Sequence, residues 1–487
     1  MEAPRRNSHL PPRRRKAYVE TYGCQMNVSD GELMQGILAG QGFELVGSPD
    51  QADVILVNTC AIRDHAEQRV LGRVGELNRF KADRPDVVIG VTGCMAQRLG
   101  ATLLEKAPYV DLVMGPDGYR ALPETLQRVR PGLRADVPAP AATRTSAPRR
   151  TLPVIASADD TPPLADTRLA VLELTGSENY EGLEVRRTSR ISAWVPVQRG
   201  CDHRCTYCIV PYVRGPEKNR DPAAILAEVR EIAKQGITEV VLLGQTVNSY
   251  SHGDWSFTRL LRDVARVDGI RRVRFTSPHP NDVTPELIDV MATEPNVCEQ
   301  LHLPVQAGHD RTLKRMLRRY SVARYLDTVR RVRDAMPGIA LSTDVIVAFP
   351  GETDDEYEAT LDLMREVRYD DAFLYKYSPR EGTPATRLPA AQFVAPDTAQ
   401  QRLQRIIGVQ RAIQAEINRG EVGRTVEVLI ERPAKSQDDM LGRTEGYKVV
   451  AFPGDPALAG TYAHVRLTGT TGATFQGVLA DPQSRVA

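Results

Sequence analysis

The strongest constraint on the fold is an alternation of short apolar segments with amphipathic helical segments, which the sequence repeats twice and then abandons. The first series begins at about residue 16 and the second at about Ser192, while beyond Gly420 the apolar positions recur with period two. Short apolar strands separated by helices indicate βαβ units and parallel sheets, whereas period two indicates half-buried strands. The 487 residues are therefore predicted to form an α/β multidomain chain that ends in an all-β module.

The first series predicts a doubly wound N-terminal α/β domain over residues 16–130. Ser29 with Glu32 has the pattern of a capping box that opens a helix. Residues 131–190 change in composition to Pro, Ala, Arg, Thr and Asp, which predicts a linker or exposed excursion, although RLAVLELTG within 167–190 is a candidate strand. The predicted strands of the domain are AYVETYG (17–23), ADVILVNT (52–59), DVVIGVTG (86–93) and DLVMG (111–115).

The second series, residues 191–419, predicts a partial (β/α)6 barrel because it holds six βα-type repeats without a second nucleotide-binding half. Amphipathic helices fill the gaps, and a long helical stretch near 397–419 ends the series. Residues 420–483 predict a small all-β barrel. The predicted barrel strands are 193–200, 238–244, 271–277, 299–306, 340–349 and 371–378.

Composition limits the compartment more than the partner. The net charge of +1 does not mark the chain as a nucleic-acid binder, and no apolar run is long enough to span a bilayer. The basic, proline-rich residues 1–15 predict a disordered tail rather than a secretory signal, because no apolar region follows them. Seven cysteines, an odd number, argue against a disulfide framework and predict a reducing, cytoplasmic setting.

Three of the cysteines stand close together in GCDHRCTYC, as Cys201, Cys205 and Cys208, directly after the first predicted barrel strand. Three thiolates suit a [4Fe–4S] cluster that keeps one iron without a protein ligand, and an open position is what catalysis at a metal needs. A structural zinc ion is the alternative, with His203 as a further ligand. No second CxxC pair lies nearby, which disfavours zinc.

Three other cysteines, Cys24, Cys60 and Cys94, are far apart in sequence, yet each follows a predicted strand. Because the carboxyl ends of parallel strands share one edge of a sheet, the three thiols are expected to converge there. Isolated buried cysteines are the alternative for any one of them. Cys298 has no partner of this kind and is predicted to be a core thiol.

The triplet at 201–208 resembles that of the radical S-adenosylmethionine (SAM) superfamily, in which the open iron of the cluster binds SAM. LLGQ (242–245) stands where that superfamily carries a glycine-rich segment, so the resemblance makes Gly244 and Gln245 candidate SAM contacts. Asp344 is either a site residue or a structural carboxylate at a strand end. Ala348 occupies a position that resembles a usual glycine of this segment.

The whole chain apart from the tail and linker resembles the methylthiotransferases. The resemblance rests on ETYGCQMNVSD, ADVILVNTCAIRDHAEQRV, VIGVTGCMAQR, QRGCDHRCTYCIVPYVRG, LLGQTVNSY, FTSPHP, LHLPVQAG and YSPREGTPATR, and on a C-terminal module like a TRAM domain. It implies a second, auxiliary [4Fe–4S] cluster held by Cys24, Cys60 and Cys94. One SAM then supplies a methyl group for the sulfur, and a second SAM is cleaved to a radical that removes a C2 hydrogen of adenine.

The resemblance also implies the partners: tRNA, SAM and an electron donor such as flavodoxin or ferredoxin, with the enzyme a monomer. TYGCQMN, LLGQTVNSY and CTYCIVPYVRG look most like the branch that acts on N6-isopentenyladenosine beside the anticodon. Threonylcarbamoyl-adenosine of tRNA or an aspartate of a ribosomal protein are alternative substrates, and a non-catalytic iron–sulfur RNA-binding protein is a further alternative. The arginines of residues 309–333 either neutralise RNA phosphates or form a solvated face.

Overall fold

A computed structural model describes residues 15–60, 64–131, 133, 168–435, 438–480 and 485–486. The predicted tail, except its last residue, and most of the predicted linker lie outside these residues. The chain divides into two compact units, Met1–Leu174 with Gly182–Arg186, and Thr175–Glu181 with Arg187–Ala487. Within the described ranges, no helix combines the length and the apolar character that a membrane crossing requires.

The first unit is built on a six-stranded sheet in which every pairing is parallel and the order is β2-β1-β3-β4-β5-β6. The predicted doubly wound α/β domain is thus confirmed. Its strands are β1 Lys16–Thr21, β2 Glu44–Leu45, β3 Val54–Thr59, β4 Val88–Gly93, β5 Leu112–Met114 and β6 Leu169–Val171. Its helices are α1 Gln25–Gly40, α2 Asp64–Leu77, α3 Arg79–Asp83, α4 Cys94–Leu99, α5 Thr102–Lys106 and α6 Leu122–Val129.

Both faces of this sheet are covered, which explains the uninterrupted apolar run in its central strand. Ile55 and Val57 of β3 belong to a core that includes residues of α2, while Val54 and Leu56 alternate with them and are equally buried. The direction in which successive strands are added to the sheet reverses at β1, because β2 pairs with one side of β1 and β3 pairs with the other. A crevice at the carboxyl ends of β1 and β3 is where ligands bind in folds of this order.

Two details differ from the sequence-based expectations. The capping box predicted at Ser29 and Glu32 is wrong: α1 begins at Gln25, with Cys24 in an extended conformation at its N-cap, so both residues lie inside the helix. The strand β6 comes from the candidate strand within 167–190 and pairs in parallel with β5. That part of the predicted linker therefore adds the sixth strand to the first sheet.

The second unit begins with six parallel strands in two three-stranded sheets, β13-β10-β7 and β14-β15-β16, which confirms the partial (β/α)6 barrel. Two short antiparallel strand pairs, β8 with β9 and β11 with β12, accompany these six strands. The strands are β7 Ser192–Pro196, β8 Gln198–Arg199, β9 Lys218–Asn219, β10 Glu239–Leu243, β11 Ser251–His252, β12 Trp255–Ser256, β13 Arg272–Phe275, β14 Gln300–His302, β15 Ala340–Val347 and β16 Asp371–Lys376. The helices are α7 Val210–Arg214, α8 Pro222–Lys234, α9 Phe257–Ala265, α10 Pro285–Thr293, α11 Asp310–Arg315, α12 Val322–Ala335, α13 Asp354–Val367 and α14 Pro396–Glu421.

Alternation along the strands separates the helix-covered face of the barrel from its lumen. Val240 and Leu242 of β10 pack with Leu260 and Leu261 of α9 in one large core. Their neighbours on the strand point the other way, and Glu239 is one of them. The lumen side of β10 therefore carries one buried carboxylate beside the apolar Val241 and Leu243.

The C-terminal module is a five-stranded barrel that closes through pairing of β17 with β20, which confirms the predicted small β-barrel. Its core includes Val428, Ile430, Phe452, Val465 and Phe475, the alternate positions of strands with period two. Its five strands are β17 Thr425–Pro433, β18 Asp439–Thr444, β19 Val449–Pro453, β20 Tyr462–Thr470 and β21 Thr474–Leu479. A short strand outside the closed ring, β22 Arg485–Val486, pairs with the start of β20.

Buried arginines fix this module to the amino-terminal end of the α/β barrel. Arg272 donates to the carbonyl of Arg443 at 2.9 Å and to Glu427 Oε1 at 3.1 Å. Arg274 donates to Glu239 Oε2 at 3.0 Å and to the carbonyl of Thr444 at 3.0 Å. Arg272 is the first residue of β13, and Glu239, the partner of Arg274, is the first residue of β10, so the module sits at the end of the barrel opposite the carboxyl ends of the strands.

Candidate functional site

The three N-terminal cysteines lie at the carboxyl edge of the first sheet. Cys60 directly follows β3 and Cys94 directly follows β4, and the residues before them, Thr59 and Gly93, are register partners. Cys24 follows the adjacent strand β1 by three residues. Because neighbouring strands stand about 5 Å apart, these positions bring the three backbones together as the sequence predicted.

Two glycines make this convergence possible. Gly23 has φ +124°, and a Cβ at this position would lie 2.5 Å from Cβ of Cys60. Gly93 has φ +92°, and a Cβ there would lie 2.6 Å from the carbonyl oxygen of Thr59. Glycine removes both obstacles and accepts the left-handed backbone, so the chain segments that carry the cysteines pack directly against one another.

Two hydrogen-bonded asparagines stabilise the same sheet edge. Cys24 Sγ lies 3.3 Å from Asn27 Oδ1, and Asn58 donates from Nδ2 to the carbonyl of Asn27 at 2.7 Å. Both asparagines are fully buried. They connect the first turn of α1 to the end of β3 and so fix Cys24 relative to Cys60.

The second cysteine triplet occupies a loop between β8 and α7 at the carboxyl edge of the α/β barrel. Gly200 opens the loop with φ +76°, where a Cβ would lie 2.8 Å from the carbonyl oxygen of Gly215. Thr206 anchors its middle: its amide donates to the carbonyl of Met316 at 3.1 Å and its hydroxyl to the carbonyl of Arg315 at 2.9 Å. The loop is thus held by the backbone of a neighbouring segment rather than by the cysteines alone.

Burial disfavours ionisation of two thiols of this loop, and the triplet does not form a compact site for one ion. Burial raises the pKa of Cys208 to about 12 and also raises the pKa of Cys201, so metal binding must displace their protons. Thiolates around one tetrahedral zinc ion stand about 4 Å apart. Of the potential ligands that the structure describes, neither cysteine triplet gathers its sulfur atoms within 4.8 Å. Wider spacing fits iron–sulfur ligation, in which each thiolate binds a different iron.

His203, the further zinc ligand considered from the sequence, groups with other potential ligands than the cysteines. In the described part of the chain it forms a group with His279 and Asp282 whose ligand atoms lie within 4.8 Å. The two imidazole rings stack at 4.2 Å with an interplanar angle of 7°, and His279 Nδ1 accepts the amide N–H of Asn281 at 3.2 Å. Parallel stacked rings direct their in-plane lone pairs side by side, not toward a common ion.

The predicted SAM contacts lie beside this loop. Gly244 follows β10, and a Cβ there would lie 2.9 Å from Gln198 Oε1. The next residue, Gln245, has its Oε1 buried with no hydrogen-bond partner among the described residues. Thr246 then brings its hydroxyl to 3.3 Å from Cys201 Sγ. An unsatisfied acceptor next to the cysteine loop suits a donor on a bound ligand, such as the amino group of SAM.

The lumen beside the loop combines polar groups with exposed aromatic rings. Asp344 Oδ2 lies 3.3 Å from His302 Nε2, and His302 Nδ1 lies 3.0 Å from the hydroxyl of Ser342. Phe373, the register partner of Asp344, packs edge-on against His302 and is 48% exposed, and Tyr375 on the same face is 36% exposed. Exposed aromatic rings near hydrogen-bonding groups suit a planar nucleobase.

Some residues of the site left no sequence signal, while others did. Ala348 has φ +58°, which explains why a glycine is usual at its position. Arg318 was one of many arginines in 309–333, yet its guanidinium contacts Cys205. Most of the other arginines there pair within the domain: Arg311 and Arg315 with Glu356, Arg330 and Arg331 with Asp327, and Arg333 with the carbonyl of Val367. Their role toward RNA stays a prediction.

Comparisons with known families agree with this division of the chain. The family described as "Uncharacterized protein family UPF0004" matches residues 16–115, the radical SAM superfamily matches residues 195–364, and the TRAM domain matches residues 419–479. Each match coincides with one of the three folded regions described above. The cysteines of the first and second regions all lie within the matched residues.

Curated relatives match the chain over nearly its full length. A protein of Carboxydothermus hydrogenoformans is 40% identical over 472 residues, which cover 95% of this chain and 98% of the relative. A Thermoanaerobacter protein is 41% identical over 470 residues, covering 95% and 92%, and one of Chlorobium luteolum is 39% identical over 470 residues, covering 96% and 97%. All three are named tRNA-2-methylthio-N(6)-dimethylallyladenosine synthase.

Among solved structures, the chain resembles TsrM from Kitasatospora setae, a radical S-adenosylmethionine methyltransferase with cobalamin and a [4Fe–4S] cluster bound. The two share a TM-score of 0.54 and 15% sequence identity over 77% of this chain and 74% of that chain. At such low identity the likeness shows the fold alone.

Proposed function

Because this chain belongs to the family of tRNA-2-methylthio-N6-dimethylallyladenosine synthases, we propose that it attaches a methylthio group to C2 of N6-isopentenyladenosine beside the anticodon of tRNA. The observation that carries this proposal is the placement of two cysteine triplets, each at the carboxyl edge of a parallel sheet. Two triplets support two [4Fe–4S] clusters, whereas cleavage of SAM alone needs one.

The ligand assignment follows from the donors present. Cys201, Cys205 and Cys208 hold the cluster that membership of the radical SAM superfamily implies. We assign the auxiliary cluster to the N-terminal triplet, whose three cysteines lie at one sheet edge with no disulfide between them. Three ligands each leave one iron open, as exchange of SAM and sulfur requires. The auxiliary ligands are Cys24, Cys60 and Cys94.

The chemistry that protein side chains lack comes from these groups when bound: sulfur and a radical able to remove the C2 hydrogen. The residues of the chain position the reactants. Gly244 permits close approach, and Gln245 Oε1 accepts a hydrogen bond from the SAM amino group. Phe373 and Tyr375 stack against the adenine, which RNA loops can present unstacked. His302 is held by Asp344 and supports the Phe373 ring through an edge-on contact.

The proposal extends to the partners and the compartment. The names of the relatives and the TRAM match support tRNA as the substrate, and reduction of the clusters needs an electron donor such as flavodoxin or ferredoxin. We propose that the enzyme works as a monomer in the cytoplasm. Seven cysteines without a disulfide support a reducing compartment.

The test is nucleoside mass spectrometry of tRNA from a deletion strain that carries the gene for this chain or its variants. The unaltered chain is expected to restore the methylthio-isopentenyl nucleoside, and Cys60→Ala and Cys201→Ala to leave the isopentenyl nucleoside unconverted. Each variant should also lose roughly half of the iron, because each removes a ligand of one cluster only.

The buried Cys298 provides the matched control, since Cys298→Ala removes a thiol outside both triplets and should keep product and iron. Loss of a methylthiolated threonylcarbamoyl nucleoside instead would point to the alternative tRNA substrate. Full activity of Cys60→Ala would refute the two-cluster assignment.

A further inference from the structure

One arginine reaches a cluster-binding cysteine from a distant part of the sequence. Arg318 Nη1 donates to Cys205 Sγ at 3.5 Å. The same guanidinium donates from Nη2 to the carbonyl of Pro304 at 3.3 Å and from Nε to the hydroxyl of Tyr320 at 3.1 Å. Because the guanidinium is planar and its donors are in fixed positions, these bonds hold one N–H toward the sulfur.

Among the residues that the structure describes, no carboxylate lies within ion-pair distance of this guanidinium, and Asp282 interacts with its charge only from farther away. Two other arginines of the second unit differ: Arg315 pairs with Glu356, and Arg402 pairs with Glu352 and Asp354. A partly buried cation without an anion is costly. An iron–sulfur cluster bound through thiolates is anionic, and it gains one more negative charge when it accepts an electron.

We propose that Arg318 is a positioning residue that raises the reduction potential of the cluster held by Cys201, Cys205 and Cys208, through its charge and its hydrogen bond to the Cys205 sulfur. Hydrogen bonds to cluster sulfurs and local charge are known determinants of such potentials. The inference rests on the proposed function. It adds no bond-making step: one electron from the external donor enters the cluster, and Arg318 stabilises the reduced form.

The experiment isolates one cluster in the full-length chain. Cys24→Ala, Cys60→Ala and Cys94→Ala together remove the auxiliary ligands, and the protein is reconstituted anaerobically with iron and sulfide. Its midpoint potential is measured without SAM by redox titration with dithionite, followed by electron paramagnetic resonance. In this background Arg318→Gln is compared with Arg318→Lys.

Arg318→Gln is expected to make reduction about tenfold less favourable, which lowers the midpoint potential by about 59 mV for a one-electron couple. Arg318→Lys keeps the charge but not the planar set of donors. Its midpoint potential should therefore lie between that of Arg318→Gln and that of the background protein with Arg318. The matched control is Arg319→Gln, which removes the same charge from the neighbouring, exposed residue. Its shift should be clearly smaller.

A merely structural role for Arg318 would lower the thermal stability of the protein and leave the potential unchanged. Equal potentials in Arg318→Gln and the background, or equal shifts in Arg318→Gln and Arg319→Gln, would overturn the proposal. If Arg318→Gln holds no cluster, Arg318→Lys decides in the same way. A background protein that holds no cluster at all would instead refute the ligand assignment under the proposed function.

Discussion

At Ala348 a β-carbon occupies a backbone conformation that usually belongs to glycine. The φ of +58° costs a residue with a β-carbon about 1–2 kcal/mol. The sequence identified the position as a departure from the usual glycine but gave no reason for it. The reason is a local dihedral angle, which a family pattern reflects and a single sequence does not state.

His279 makes the folded protein sensitive to acid. Burial lowers the pKa of His279 to about 2, and the nearby Arg318, His203 and Arg324 act in the same direction. In the unfolded chain a histidine binds its proton near pH 6.5. Between about pH 6.5 and about pH 2, the unfolded chain therefore holds a proton that the folded chain lacks. The free energy of unfolding falls as the pH falls through this range.

We predict that His279→Asn reduces this loss, which amounts to at most about 1.4 kcal/mol for each pH unit below about 6.5. Asparagine keeps an N-cap acceptor for the amide of Asn281 and does not titrate. Urea unfolding at neutral and mildly acidic pH measures the effect. The exposed His252 is the control, and His252→Asn should keep the wild-type slope. Identical slopes for wild type and His279→Asn would contradict the assignment.

The candidate site residues divide by the kind of signal that they leave. Cys24, Cys60 and Cys94 were predicted because each follows a strand, and strand ends can be recognised from apolar runs. Cys201, Cys205 and Cys208 were predicted from their close spacing directly after one strand. Thr246 and Arg318 were not predicted, since each acts through a contact across a long sequence separation, 45 and 113 residues. Contacts of that kind depend on tertiary packing, which periodicity does not contain.

At the level of elements, periodicity located the strands and long helices, whereas local capping signals were less reliable. The helix predicted near 397–419 extends from Pro396 to Glu421. The arginine-rich stretch 309–333 holds two helices, Asp310–Arg315 and Val322–Ala335, because Leu317 between them has a positive φ. The Ser29 motif failed because Cys24 already occupies the N-cap.

The edge that carries the N-terminal cysteines depends on a glycine at the end of β4. We predict that Gly93→Ala prevents assembly of the auxiliary cluster and keeps the other, because a Cβ there meets the backbone of Thr59 and the φ of +92° is strained for alanine. Iron analysis should show a loss of roughly half, with the SAM-cleaving activity retained.

The control for this substitution is Gly40→Ala at the end of α1, where a Cβ would meet nothing within 4 Å. It should keep the full iron content. Full iron in Gly93→Ala would show that the sheet edge tolerates displacement and that the close approach of β3 and β4 is not required for the cluster.

At the scale of the whole molecule, the sequence predicted three folded regions but not how their strands are ordered. The order β2-β1-β3-β4-β5-β6 follows from which strands pair, and apolar runs of similar length do not distinguish partners. The junction of the β-module with the barrel was equally unpredictable, since Arg272 and Arg274 appear in the sequence as two more basic residues of a strand.

We predict that Arg274→Met destabilises the second unit by about 3–5 kcal/mol, because it leaves Glu239 buried and unpaired. The double variant with Glu239→Leu should recover much of that loss, since both charges are then removed. Urea unfolding of the single and double variants forms a double-mutant cycle.

An exposed pair serves as the comparison for this cycle. Arg365 and Asp362 lie on the surface of α13, and Arg365→Met should cost less than about 1 kcal/mol. A double variant that is as unstable as Arg274→Met alone would show that the contacts of Arg274 with the module carbonyls, rather than its pairing with Glu239, hold the junction.

Arg272 and Arg274 attach the β-module to the amino-terminal end of the barrel. This attachment fixes the distance between the module and the cysteine loop at the opposite end. If the module binds the RNA, the distance between this binding site and the cysteine loop works as a ruler. Such a ruler would select a nucleotide by how far it lies along the RNA from the bound segment, before any atom of the base is read.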